Sequence, residues 1–118
     1  MLIFNNVMLF QTLYDCAKKQ YPFIEDVEIY IDYEFDKFGV KLLEGTKEDK
    51  GKFQITISPT NDERMMATYF VNGLTMLILK LKYGDISNNA HADKQEEVEN
   101  NIMKEFETKD YNGEYVYK

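Results

Sequence analysis

The sequence predicts an α+β fold in which one helix precedes a three-stranded sheet and two helices follow it. Three segments between Val27 and Ser58 alternate apolar with polar residues, which is the period of a half-buried strand. Before and after them, apolar residues recur at helical spacing, and the segment after Ser58 is long, capped and almost wholly apolar. Because short turns separate the three strands, we expect a sheet of the antiparallel type.

The first predicted element is a helix from Asn5 to Lys19, which ends in two lysines suited to a helix C-terminus. Tyr21 and Pro22 follow and stop it. The three strands come next, and their apolar positions are Val27, Ile29, Ile31 and Tyr33 in the first, Phe38, Val40 and Leu42 in the second, and Phe53, Ile55 and Ile57 in the third.

The core helix is predicted to run from Asn61 to Lys82. Thr60 and Glu63 have the spacing of a capping box, in which each side chain bonds the other's backbone N–H. Gly73 lies in the middle of this helix, where a glycine costs roughly 1 kcal/mol relative to alanine. We therefore expect Gly73 at a close approach to a neighbouring element.

A last helix is predicted from Ala92 to Glu107. Its apolar residues lie four positions apart on one face, so its acidic face is expected to turn outward. These apolar residues are Val98, Ile102 and Phe106. The aromatic tail from Tyr111 to Lys118 has the composition of a short edge strand.

Composition restricts the class of protein. At 118 residues we expect a single domain spanning 1–118. Cys16 is the only cysteine, so no intrachain disulfide forms, and a buried thiol on a helix is typical of the reducing cytoplasm. A net charge of −7 disfavours direct binding to nucleic acid. The longest apolar run is too short to span a membrane.

Carboxylates are concentrated around the first strand, without a basic residue among them. The even-numbered residues of this strand share one face, and consecutive ones lie about 6.7 Å apart. This distance is close to the spacing of phosphates along a nucleic-acid strand. The candidate partner-binding surface on this face, called the acidic stripe below, consists of Asp26, Glu28, Tyr30, Asp32, Glu34 and Asp36. It has two interpretations: a solvated face protected by charge from aggregation, or a surface that occupies a basic cleft of a nucleic-acid-handling protein.

The core helix from Ala67 to Leu79 resembles the catalytic helix of zincin metallopeptidases, of the phage kind that cleaves immunity repressors. In that family a Thr-x-x-His-Glu-x-x-His-Ala-Ile-Leu helix follows a strand and a stretch like Asp62-Glu63-Arg64. Two histidines one turn apart bind the zinc and the glutamate activates water. The resemblance covers residues 38 to 106, and the same helix also fits the plain core helix of another α+β domain.

The zinc ligands that the resemblance implies are missing. Alignment on Leu74-Thr75 and Ile78-Leu79 places Asn72, Gly73 and Met76 at the His, Glu and His positions. A shift of one residue, aligned on Thr68, places Val71, Asn72 and Thr75 there instead. Neither set suits zinc. The family's third, acidic ligand corresponds to Glu96 or Glu97.

The resemblance therefore implies a pseudoenzyme without metal or cofactor. We expect a non-catalytic phage or mobile-element protein that binds a host protein and inhibits or redirects it. The first alternative is a nucleic-acid mimic of the anti-CRISPR or anti-restriction type. A lesser alternative is a metallopeptidase with unorthodox ligands, for instance Asn72, His91 and Glu97. The partner's identity and the oligomeric state stay open.

Overall fold

The computed structural model describes residues 1–34, 39–45, 48, 51–84 and 92–108, with the backbone alone at 92, 107 and 108. It confirms the α+β class, since three helices and a three-stranded sheet form in the predicted order. A 3₁₀ helix, Pro22–Asp26, lies between the first helix and the first strand. The other elements are α1 (Met8–Gln20), β1 (Glu28–Tyr33), β2 (Val40–Glu44), β3 (Lys52–Ile57), α2 (Glu63–Tyr83) and α3 (Ala92–Thr108).

The sheet is mixed, so the prediction of an antiparallel-type sheet was wrong. Its strand order is β1-β3-β2, with β1 parallel and β2 antiparallel to β3. In its central place β3 is buried on both faces. Ile55, on one face, is 0% exposed, and Thr56, on the other, is 5% exposed. Thr56 stands between Asp32 of β1 and Lys41 of β2, so the flanking strands cover β3 even on its outer face.

Helix α2 is the helix that packs on the sheet, where it contacts β2 and β3, and it also contacts α1 and α3. Its approach to β3 is closest at Gly73, where a Cβ would lie 2.5 Å from Cγ2 of Ile55. The expected close approach at this glycine is thus confirmed. The predicted buried positions of α3 are confirmed as well, at Val98, Ile102 and Phe106.

The cap of α2 differs from the prediction. Asp62, not Thr60, is the N-cap, and its Oδ1 accepts hydrogen bonds from the backbone N–H of Arg64 at 2.9 Å and of Met65 at 3.4 Å. The Thr60 hydroxyl instead accepts from the N–H of Asp62 at 3.2 Å. An ionised carboxylate is the stronger acceptor for the free N–H groups of a helix, so the helix begins at Glu63.

Helix α1 also begins later than predicted, at Met8. The Asn5 side chain bonds both the N–H of Val7, at 3.1 Å, and its C=O, at 2.9 Å, and thereby stabilises a turn where the helix was expected. Before this turn, Leu2 pairs with Ile29 at the edge of β1 that faces away from β3. Within α1, Cys16 is fully buried, as predicted.

Several predicted features lie outside the described residues. They are the turn at Asp36 and Lys37, the strand position Phe38, the histidine His91, and the tail from Tyr111 to Lys118. Among the helices that are described, none combines the length and the apolar character needed to cross a membrane.

Candidate functional site

The residues of the acidic stripe do not all lie on one strand. Glu28, Tyr30 and Asp32 point to the outer face of β1, away from α2. Glu34 follows the end of the strand, and Asp26 is the last residue of the 3₁₀ helix before it. Asp36 lies outside the described residues. The strand itself therefore contributes two carboxylates, those of Glu28 and Asp32, because it is only six residues long.

Each of the three carboxylates on or next to β1 has a polar neighbour. The Tyr30 hydroxyl donates to Glu28 Oε1 at 3.2 Å, and Gln54 Nε2 donates to Asp32 Oδ2 at 3.4 Å. Lys41 Nζ lies 3.2 Å from Glu34 Oε2. The outer face is thus a mixed polar surface.

The neighbours of the stripe come from β2 and β3, which the sequence could not place. In the register of the sheet, Lys52 stands opposite Glu28 and Gln54 opposite Tyr30. Lys41 stands opposite Thr56, which itself stands opposite Asp32. A local pattern shows which residues share a face of one strand, but the charge of that face depends on the strands beside it.

A second candidate surface is a groove of about 470 Å³ between the edge strand β2 and helix α2, called the edge groove below. Val40 and Leu42 form its strand side and Met76 and Leu79 its helix side. Gln95 of α3 also lines it. The lining residues are Val40, Lys41, Leu42, Met76, Leu79, Lys80, Gly84 and Gln95, which include two lysines and no carboxylate.

The backbone of β2 has a defined hydrogen-bonding direction at this groove. Ser58 donates its N–H to the C=O of Gly39 at 2.9 Å, and Gly45 donates to Lys52 at 2.8 Å. In an antiparallel ladder, bonding to one neighbour alternates along the strand. The odd residues of β2 therefore bond β3, and the N–H and C=O of Val40, Leu42 and Glu44 point away from the sheet.

The positions that resemble zincin ligands have unequal surroundings. Met76 lines the edge groove, and Asn72, one helical turn before it, is half-buried. Gly73, at the glutamate position, faces Ile55 and has no room for a side chain. In the shifted alignment Val71 and Thr75 are both in the core, at 2% and 1% exposure.

No set of three His, Cys, Asp or Glu side chains in the described part of the chain is arranged to hold a metal ion. Glu96 and Glu97, the candidate third ligands, are exposed on α3. The Thr75 hydroxyl has no hydrogen-bond partner among the described residues, but it is buried, with Thr75 1% exposed, rather than open to a ligand.

Comparison of this chain with known protein families, with curated proteins and with solved structures finds no match. The function is therefore inferred from the geometry of the acidic stripe and of the edge groove.

The most strongly perturbed titrating pair belongs to the scaffold and not to either surface. The Tyr14 hydroxyl of α1 donates to Glu25 Oε2 of the 3₁₀ helix. This hydrogen bond lowers the pKa of Glu25, and burial raises the pKa of Tyr14. Lys18 Nζ lies 3.8 Å from the same carboxylate. The pair joins α1 to the segment that leads into β1.

Proposed function

We propose that this chain is a non-catalytic, zincin-like protein of a phage or mobile element, acting in the cytoplasm, that binds a host protein and inhibits or redirects it. The observation that carries the non-catalytic part is the contact between Gly73 and Ile55. In the alignment that places Gly73 at the position of the water-activating glutamate, a Cβ would lie 2.5 Å from the Ile55 side chain, so a carboxylate there has no space.

The edge groove is the surface that best supports binding. It combines apolar side chains from β2 and α2 with a row of backbone groups at the sheet edge, and it includes Met76, the position of the second histidine in the first of the two alignments. A protein that kept the cleft of a peptidase and lost its metal ligands retains a surface suited to a polypeptide.

The acidic mimic is the second candidate, and one observation favours it. Asp26 and Asp32 are exposed, and α2, the helix that packs on the sheet, lies on the opposite face. The contacts of Glu28, Asp32 and Glu34 weaken this candidate, because Lys41 and Lys52 lie among the carboxylates and reduce the negative potential of the face. The unorthodox metallopeptidase depends on His91, which lies outside the described residues.

Capture of host proteins by variants of the two surfaces tests the proposal. The wild-type chain is cross-linked in host lysate beside Met76→Lys in the groove and Asp32→Lys, Glu34→Lys on the stripe. A matched control, Glu96→Lys, Glu97→Lys, makes the same change of charge on α3. We expect the groove variant alone to lose a specific protein. Loss in the stripe variant alone establishes the mimic, and no specific capture by the wild type rejects both.

A further inference from the structure

We propose that a hollow at the outer edge of β1 binds the guanidinium group of an arginine side chain from another protein. This hollow, called the aromatic hollow below, lies where the chain turns away after residues 1–3, on the opposite edge of the sheet from the edge groove. The inference goes beyond the proposed function, because binding of a host protein at the edge groove does not require it.

Three aromatic side chains line the aromatic hollow, which has a volume of about 240 Å³. They belong to Phe4, Tyr30 and Tyr33, and the ring centroids of the first two lie 6.4 Å apart with their planes tilted by 48°. The other lining residues are Ile3, Asn5, Asn6, Val7 and Ile31. None of these described lining residues is charged, so a cation that enters meets aromatic rings and amide groups rather than a like charge.

Phe4 is held in an unusual position by its backbone. Its φ of +54° lies in the left-handed region, and within the described residues no other residue except glycine has a positive φ. Leu2 packs against the core, so an extended chain would direct Phe4, two residues later, to the same side. Instead Phe4 is 95% exposed and its ring lies next to that of Tyr30. The chain thus presents a large aromatic ring to solvent despite the cost in backbone strain, which is typical of a functional site.

The charges next to the aromatic hollow favour a cation. Glu28 and Asp32 flank Tyr30 on the outer face of β1. The Tyr30 hydroxyl donates to Glu28 at 3.2 Å and the Gln54 amide donates to Asp32 at 3.4 Å, and both donors are neutral, so they leave the carboxylate charges in place. Lys52 stands opposite Glu28 on β3, which is the side of β1 away from the hollow. A guanidinium group in the hollow therefore approaches these carboxylates from the side that faces away from Lys52.

Arginine suits these surroundings better than lysine. A guanidinium group is planar and weakly hydrated, so it can stack on an aromatic ring while its N–H groups donate in the plane to carboxylate or amide oxygens. An ammonium group is a compact and strongly hydrated charge, which loses more hydration among aromatic rings. The net charge of −7 adds an attraction at longer range for a basic protein surface.

Titration of the full chain with three blocked Gly-X-Gly peptides tests the inference, where X is arginine, lysine or citrulline, the neutral analogue of arginine. With the arginine peptide at millimolar concentration, NMR spectra should show saturable shifts of the Phe4, Tyr30 and Tyr33 rings. The lysine peptide should bind at least about three-fold more weakly, and the citrulline peptide should cause no saturable shift. Absence of shifts with the arginine peptide, or equal binding of either other peptide, overturns the inference.

A substitution at Phe4 separates a binding role from a structural one. Phe4→Asn removes the ring, and asparagine tolerates a positive φ, so the variant should lose binding of the arginine peptide without a lower midpoint of urea unfolding. Met8→Ala is the matched control, because Met8 is also exposed, at 64%, but does not line the hollow. It should bind the peptide like the wild type. Undiminished binding by Phe4→Asn, or a loss of binding that comes with a lower midpoint, overturns the inference.

Two further variants separate the aromatic hollow from the edge groove. Tyr30→Leu keeps an apolar side chain without an aromatic face and should weaken the arginine peptide several-fold. Met76→Lys changes only the groove and should leave that binding unchanged. If the arginine peptide does not bind but Met76→Lys still loses a captured host protein, the proposed function survives and only the aromatic hollow is excluded.

Discussion

Gly73 of α2 and Ile55 of β3 are in contact so close that a Cβ on the glycine would lie 2.5 Å from Ile55 Cγ2 and 3.2 Å from Cδ1. The contact sets the distance between the core helix and the central strand. It also removes the space that a catalytic side chain would need at this position of the helix.

Replacement of Gly73 by leucine should destabilise the protein by about 1 to 3 kcal/mol through overpacking. Urea unfolding measures it. Gly73→Ala should be less unfavourable in an Ile55→Ala background, because all three nearest atoms are then absent. The two changes should therefore couple by about 0.5 to 3 kcal/mol. Additive effects, or unchanged stability of Gly73→Leu, would show that the helix does not approach the strand here.

Asp62→Ala should cost about 0.5 to 2 kcal/mol, because the first N–H groups of α2 lose their acceptor. Thr60→Ala is the matched control and should cost less, since its hydroxyl bonds only the N–H of Asp62. Chemical denaturation of both variants compares the two residues directly. A larger effect at Thr60 would show that Thr60 caps the helix, as the predicted capping box requires.

Acid unfolding should depend on Glu25. Its pKa is lowered in the folded protein by the Tyr14 hydrogen bond, so its contribution to stability is present above its ordinary pKa and is lost as pH falls through the lowered value. The Glu25→Gln variant should therefore lose less stability than the wild type as the pH falls below the ordinary pKa of a glutamate. Tyr14→Phe should do so too, because it removes the hydrogen bond. Thermal unfolding between pH 7 and pH 3 follows both variants, and slopes equal to the wild type would contradict the assignment.

Charge reversal at Asp32 and Glu34 separates the two binding hypotheses. If the stripe binds the partner, Asp32→Lys, Glu34→Lys should slow association and flatten its salt dependence, with little change in folding. If the edge groove binds the partner, the association rate should stay unchanged at both salt concentrations. The double change Glu96→Lys, Glu97→Lys is the control, because it makes the same change of charge on α3, away from both surfaces. Binding kinetics at two salt concentrations decide between the surfaces.

The purified chain should contain no stoichiometric zinc, since neither alignment of the core helix supplies a histidine pair. Elemental analysis after purification in zinc-containing buffer measures this. About one tightly held zinc per chain that is lost in Glu97→Ala, with Glu96→Ala as control, would instead support the unorthodox metallopeptidase.

The sequence alone determined the type and order of the elements and most of the core. Alternation identified the strands, the four-residue spacing identified Val98, Ile102 and Phe106, and a glycine inside a helix indicated a close contact. These properties follow from the local geometry of the backbone, whose periods of 2 and 3.6 residues any stretch of chain displays by itself.

Only the tertiary structure decided the strand order and, with it, both candidate surfaces. The central position of β3 made the sheet mixed, brought Lys52 and Gln54 beside the acidic stripe, and left β2 at the edge next to Met76. Strand order depends on how the three strands together bury their apolar faces in the common core, and that is a sum over contacts distant in sequence. A carboxylate's neighbours and an edge's open hydrogen-bonding groups follow from it, so the alternation within one strand could not predict them.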